Sequence, residues 1–223
     1  MLKYIILDFG NVLVTPTTGD WDMTPKFHEL IDFDYLDMDK YQKARKENQI
    51  LLSEDLFTLE QEYDMFYRFY RNILKECYDL FTDQIAKDIA HDRTYNDTKY
   101  EICPDIHHEL EFLKNKYQLI LLTDNWPCVM PYLDHYDLTK YFEKIYISSE
   151  YGSTKKEGTF FDYAINDFHI KEGEAIFIDD TEINLDVAVT KGLSVYLMDR
   201  NNSVHESKYK IIHNLERDLI NEI

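Results

Sequence analysis

The sequence predicts an α/β fold, a doubly wound parallel sheet interrupted by an inserted α-helical domain. Three observations predict it. Short apolar runs of strand length recur along the chain and alternate with longer segments of helical spacing. Several of these runs end abruptly in a polar residue, as buried strands do when they present one side chain at a carboxyl edge. Between the first and second runs lie some eighty residues, from about 22 to 98, that are acidic, aromatic and free of any strong strand pattern.

The first run is Tyr4–Leu7 in KYIILDFGNVL; it closes in Asp8 and turns through Gly10 and Asn11. Residues 14–21 (VTPTTGDW) are turn-rich and read as an exit linker. In the insertion, Leu59, Tyr63, Phe66, Tyr70, Ile73 and Cys77 recur at helical steps, which predicts a long amphipathic helix over Leu56–Leu80. Thr58 followed by Gln61 has the spacing of a capping box at its start. Met38–Leu52 and Thr82–Asp92 read as further helices.

The alternation then resumes. A helix from Pro104–Asp105 to Lys116 turns Leu110 and Leu113 inward, and Gln118–Leu122 is a strand ending in Thr123-Asp124-Asn125. A helix from about Pro127 to Tyr136, a strand over Lys144–Ser149, a Gly152–Lys156 loop and a helix over Thr159–Phe168 follow. Glu174–Ile178 is a strand ending in Asp179-Asp180; Asn184–Lys191 is a helix stopped by Gly192; Leu193–Met198 is a fifth strand. His205–Ile223, with Ile212, Leu215 and Leu219 at helical spacing, predicts a closing helix. The expected division is a Rossmann-like core over 1–16 and 99–223 and a helical cap over 17–98, standing where a lid over the sheet's carboxyl edge belongs.

Composition narrows the function. A formal net charge of −19 without a basic run repels nucleic acid and anionic membrane, and no apolar stretch approaches the roughly 20 residues of a membrane helix. The three cysteines show no zinc-like or CxxC spacing, and the chain opens directly into its first strand without a basic, cleavable leader. The expectation is a cytoplasmic protein, monomer or homodimer. The eight histidines show no metal spacing, and His107-His108 is expected at a helix surface.

Chemistry concentrates at the strand ends. Asp8, Thr123, Lys155 and Asp179/Asp180 are each ordinary alone: a strand-end Asp is often a turn residue or cap, such a Thr a cap, a loop lysine solvated. Two adjacent carboxylates after Ile176-Phe177-Ile178, with Asn184 four residues on, suggest oxygen ligands for a hard cation, Mg²⁺; the alternative is a double cap of the helix that follows. Together the groups have a meaning. A carboxylate can attack phosphorus and form an aspartyl-phosphate; Mg²⁺ offsets the repulsion of the two anions, and a hydroxyl and an ammonium hold the remaining oxygens.

LDFGNVL, LLTDN, YGSTKKEGTFF and FIDDTEIN, in this order, resemble the haloacid dehalogenase-like hydrolases over essentially the whole chain. Within that superfamily the DFGNV form is similar to the α-D-glucose-1-phosphate phosphatase branch, and the inserted helices resemble its small helical cap. The resemblance implies a Mg²⁺-dependent phosphatase acting on a small phosphate ester, with sugar phosphates as the candidate substrate class. It makes Asp8 the nucleophile, Thr123 the phosphate hydroxyl and Lys155 the neutralising lysine. It gives Asp8, Asp180, Asp179 and the Gly10 carbonyl to the metal. Asn11 is expected first as a turn residue and second as a phosphate donor; Asp124 and Asn125 stand beside Thr123 on the substrate side.

The chain departs from the pattern in three places. Gly10 stands where an acid–base aspartate is usual, Val12 where threonine is usual, and Lys156 where proline usually follows the lysine. The first departure predicts slow turnover, good leaving groups or a substitute acid. A silent binding protein that kept the fold is the alternative of a different class. A 2-haloacid dehalogenase, which needs no metal, is opposed by Asp179-Asp180, and a phosphomutase by the missing acid. Trp126 beside the Thr123 loop, and Arg45, Lys46, Arg68 and Arg71 on the insertion, are weaker candidates for the substrate, with packing and solvation as their alternatives.

Overall fold

The computed structural model describes residues 1–219. The sheet follows from the apolar runs. Strands β1 (Tyr4–Leu7), β4 (Gln118–Thr123), β5 (Lys144–Ile147), β6 (Ala175–Asp179), β7 (Ser194–Met198) and β8 (Ile211–Ile212) form one six-stranded sheet in the order β5-β4-β1-β6-β7-β8, with parallel pairing throughout. This is the Rossmann-like doubly wound arrangement, with β1 at its centre. Its strands are apolar on both sides because both sides are covered. On one side Ile6, Ile120, Leu122 and Phe177 pack against Phe160, Phe161 and Ala164 of α8 (Thr159–Asp167) and Leu185 and Ala188 of α9 (Glu182–Thr190). Leu110 and Leu113 of α5 (Ile106–Lys114) are fully buried, as their spacing predicts. Helices α6 (Val129–His135) and the four-residue α7 (Ser148–Tyr151) follow β4 and β5.

The chain divides into two compact units. One comprises residues 1–15, 102–125 and 133–223; the other comprises 16–101 together with 126–132. The second unit is built on α1 (Pro25–Leu30), α2 (Met38–Glu47), α3 (Leu59–Cys77) and α4 (Asp83–Tyr95) around an aromatic-rich core that includes Phe27, Tyr41, Phe66, Phe69 and Tyr70. α3 starts where the sequence places it. Thr58 accepts from the Gln61 backbone N–H, and Gln61 returns a side-chain bond to the Thr58 N–H, the two halves of a capping box.

Three readings are corrected. Residues 14–21 are not simply a linker: Val14–Pro16 (β2) pairs with Tyr100–Ile102 (β3) in a small second sheet. A two-stranded ladder of three residues has too little periodicity to be seen in sequence. The helix read over Met38–Leu52 ends at Glu47, where the Asn48 side chain donates back to the Ala44 carbonyl; a 3-10 turn, Gln49–Ser53, continues. The closing helix over His205–Ile223 is absent among the described residues. Asn214 accepts from the Glu216 and Arg217 backbone N–H groups, and Asp218 accepts from those of His213 and Asn214, so short polar side chains take the bonds a helix needs. Ile212, Leu215 and Leu219 are buried nonetheless, and residues 220–223 lie outside the described residues.

No helix of the described residues is long and apolar enough to cross a membrane. Cys77, Cys103 and Cys128 are free, buried thiols.

Candidate active site

Register creates the site. Leu7 is aligned with Leu121 on β4 and with Ile178 on β6, so Asp8 and Asp179 stand side by side one residue beyond the last β1–β6 pair, with Asp179 still paired to Leu197 of β7. The Asp8 N–H closes this end by donating to the Ile178 carbonyl at 3.0 Å. Parallel neighbours in register project their side chains to the same face, so two carboxylates are brought together at a depth where they would repel.

Lys155 lies between them. It enters from the 3-10 turn Lys155–Glu157, whose first residue is aimed by a local capping box: Glu157 accepts from the Thr154 N–H at 2.8 Å. Its backbone N–H is held by the Asp124 carboxylate at 3.0 Å. Its ammonium donates to Asp8 Oδ1 at 2.5 Å and to Asp179 Oδ2 at 2.7 Å, and the side chain is 2 % exposed. Lys156, the other lysine of the loop, is exposed.

Asp179 is also gripped from behind. Thr181 N–H donates to Oδ1 at 2.8 Å, and Asn184 Nδ2 lies 3.1 Å from both oxygens. The Asp179–Asn184 pair thus ties the end of β6 to the first turn of α9. Asp180 accepts from Asn11 Nδ2 at 2.7 Å and from the Thr181 hydroxyl at 3.1 Å. Asn11 itself is in the left-handed region (φ 53°), which asparagine tolerates better than most residues, so its turn role and its bond to Asp180 come together. Thr123, the last residue of β4, is buried, and Asn125 is held through its N–H on Ser148 Oγ at 3.0 Å.

Oxygens of Asp8, Asp179 and Asp180 all lie within 4.8 Å of one another. Burial pushes Asp8 up to about 7; Lys155 opposes this, and Asp179 and Asp180 add to it. Asp180 is raised as well, first by burial. Burial alone depresses Lys155, but Asp179, Asp8 and Asp124 outweigh it and hold the ammonium charged. Three clustered carboxylates against one ammonium form an all-oxygen donor set in excess negative charge, and that set fits a hard divalent cation such as Mg²⁺.

The weaker candidates go elsewhere. Arg68 forms a two-point pair with Glu54, Arg71 pairs with Asp83, Arg45 with Asp22, and Lys46 is exposed. His107 meets the Tyr141 hydroxyl and His108 meets Glu216. Trp126 packs edge-on against Phe66 with Arg93 over its ring. Sequence reading missed the pair of Arg200 with buried Glu109, in which Arg200 also donates to the Val12 carbonyl in the turn after Asp8. One signal was available: Glu109 interrupts the apolar stripe Ile106, Leu110, Leu113 of α5.

A family model for haloacid dehalogenase-like hydrolases matches residues 2–189. Among curated proteins, the D-ribitol-5-phosphate phosphatase of Bacteroides thetaiotaomicron is 29% identical over 91 residues, a match spanning 38% of this chain and 44% of that protein. The chain therefore aligns with less than half the length of this relative. Among solved structures, a HAD family enzyme of Bacteroides thetaiotaomicron in complex with magnesium and inorganic phosphate is 22% identical, with a TM-score of 0.63 over 92% of this chain and 98% of the other. The HAD-hydrolase YfnB of Bacillus subtilis, bound to magnesium, is 13% identical with a TM-score of 0.71 over 98% and 97%. At these identities the likeness to the solved structures is one of fold.

Proposed function

The chain belongs to the haloacid dehalogenase-like hydrolases, and from that premise we propose that it is a Mg²⁺-dependent phosphomonoesterase with Asp8 as nucleophile. The observation that carries this reading is the Asp8–Asp179–Asp180 cluster, three carboxylates within 4.8 Å, with the Lys155 ammonium 2.5 Å from Asp8. Asp8, Asp180, the Gly10 carbonyl and, through its support of Asp180, Asp179 would hold the cation. When bound, the metal supplies positive charge against the incoming phosphoryl group.

The chain's own residues do the rest. Lys155 fixes one oxygen of Asp8 and keeps a positive charge at the buried end of the site, which favours the ionised carboxylate that burial opposes. An Asp8 oxygen bonds to phosphorus as the phosphorus–oxygen bond to the alcohol breaks. The leaving oxygen departs with that electron pair as an alkoxide and takes a proton from solvent to become the alcohol, because Gly10 has none to give. Water then adds to phosphorus, the aspartyl-phosphate bond breaks, and inorganic phosphate and free Asp8 are released. Thr123, Lys155, Asn125 and Asn11 bind and orient the phosphoryl oxygens; Asp124 positions Lys155 through its backbone bond.

The substrate class is a small phosphorylated metabolite. The ribitol-phosphate phosphatase among the relatives supports a polyol or sugar phosphate, and Gly10 favours esters whose leaving group needs little protonation, such as an anomeric phosphate.

The test is hydrolysis of p-nitrophenyl phosphate with Mg²⁺ and with EDTA, beside an Asp8→Asn control. Metal-dependent turnover lost in the control is expected, and a screen of sugar-1-phosphates and pentitol phosphates then ranks substrates. A folded protein that binds Mg²⁺ and gives no turnover above the control would favour the second reading, a binding protein that has lost its acid at Gly10.

A further inference from the structure

Arg200, just past the end of β7, is nearly buried and makes an unusual set of bonds. Its Nε and Nη2 donate to the Val12 carbonyl at 3.1 and 2.8 Å, while Nη1 and Nη2 donate to the two oxygens of Glu109 at 2.9 and 2.7 Å. Glu109 is 1 % exposed and takes a further bond from the Asn214 side-chain amide. Carboxylate, guanidinium and carbonyl form one chain of charge-assisted bonds from α5, through the segment after β7, to the turn after β1.

That turn carries part of the site, and its internal bonds are few. Phe9 O accepts from Leu13 and Val14, Asn11 N–H donates to Val14 O, and Asn11 is held at positive φ. Within these few residues stand the Gly10 carbonyl and the Asn11 amide that reaches Asp180. A largely buried ion pair is costly to desolvate, and a neutral donor would satisfy one carbonyl at less cost. A planar fork that bonds the carbonyl with two N–H groups fixes direction as well as distance.

We propose that Arg200, backed by Glu109, is a positioning residue that sets the Gly10–Val12 turn in the geometry the metal site requires. The inference rests on the metal-dependent reading above. It acts through the main chain at Val12 and requires no contact between Arg200 and substrate.

The test titrates Mg²⁺ calorimetrically into wild type, Arg200→Ala, Arg200→Lys and Glu109→Gln, each checked for folding by circular dichroism, with p-nitrophenyl phosphate kinetics alongside. Outer-shell partners of metal ligands typically govern about 10–100-fold in affinity. Arg200→Ala is expected to weaken Mg²⁺ binding by about tenfold or more and to lower kcat with KM nearly unchanged. Added guanidinium ion should restore much of the Mg²⁺ affinity of that variant, and Arg200→Lys should fall between. If Arg200→Ala does not fold, Glu109→Gln, which keeps the shape and removes the charge, carries the test by the same loss of affinity. Wild-type Mg²⁺ affinity in a folded variant, or a loss insensitive to guanidinium, overturns the inference alone. Absence of Mg²⁺ binding by the wild type overturns the metal reading and this inference with it.

Discussion

Asp8→Asn should stabilise the metal-free protein while abolishing its activity, and the gain should grow with pH. Burial, opposed by Lys155 and reinforced by Asp179 and Asp180, moves the Asp8 carboxyl from 3.8 to about 7. A carboxyl raised on folding contributes stability below its unfolded value and loses it as pH rises through its folded value. At 1.36 kcal/mol per pH unit, the ionised Asp8 costs the fold up to about 4 kcal/mol well above neutrality. Asparagine cannot ionise and keeps an oxygen for Lys155. The stability difference, variant minus wild type, should therefore rise by about 2–3 kcal/mol between pH 5 and pH 8. Urea unfolding in EDTA at pH 5, 6.5 and 8 measures it; any change in the Lys155 bond adds an offset but no slope. Added Mg²⁺ should stabilise the wild type by mass action and narrow the gap. A difference that is flat with pH, or that falls as pH rises, would refute the picture of Asp8 as a buried carboxylate held against its own solvation.

Two further perturbations test the second unit. Thr58→Ala removes the cap of α3 and should cost about 1 kcal/mol in urea unfolding, with no effect on Mg²⁺ binding. Glu62 is fully buried and accepts from the Cys128 N–H at 2.7 Å. Glu62→Ala should cost about 1–3 kcal/mol for the abandoned donor, and Glu62→Gln much less. Because burial, ahead of its partners, raises Glu62, its contribution fades as pH climbs past the ordinary glutamate range, so Glu62→Gln should gain on wild type between pH 4 and pH 8.

The parts of the fold that were legible are those with long periodicity. The β1, β4, β6 and β7 runs are each apolar on both faces, and α3 repeats its apolar positions for five turns behind its Thr58–Gln61 box. What misled was local competition. Ile212, Leu215 and Leu219 have helical spacing, but Asn214 and Asp218 spend their side chains on nearby N–H groups and leave a turn. Glu109 and Glu62 sit in apolar stripes, where a charge marks a buried partner, yet neither sequence position says which residue that partner is.

The sequence by itself determined the family, the sheet and the kinds of group at its carboxyl edge, because each motif is a contiguous run whose chemistry survives being read in one dimension. It named Asp8, Lys155, Asp179 and Asp180 one at a time. Only the tertiary structure decided that Asp8 and Asp179 stand side by side just past a paired row, that the Lys155 ammonium bonds to both, and that Arg200 holds the turn from 188 residues away in the chain. The physical reason is that register and long-range ion pairing depend on which strands become neighbours. Apolar periodicity fixes the faces of each strand; the neighbours are fixed by packing over the whole sheet.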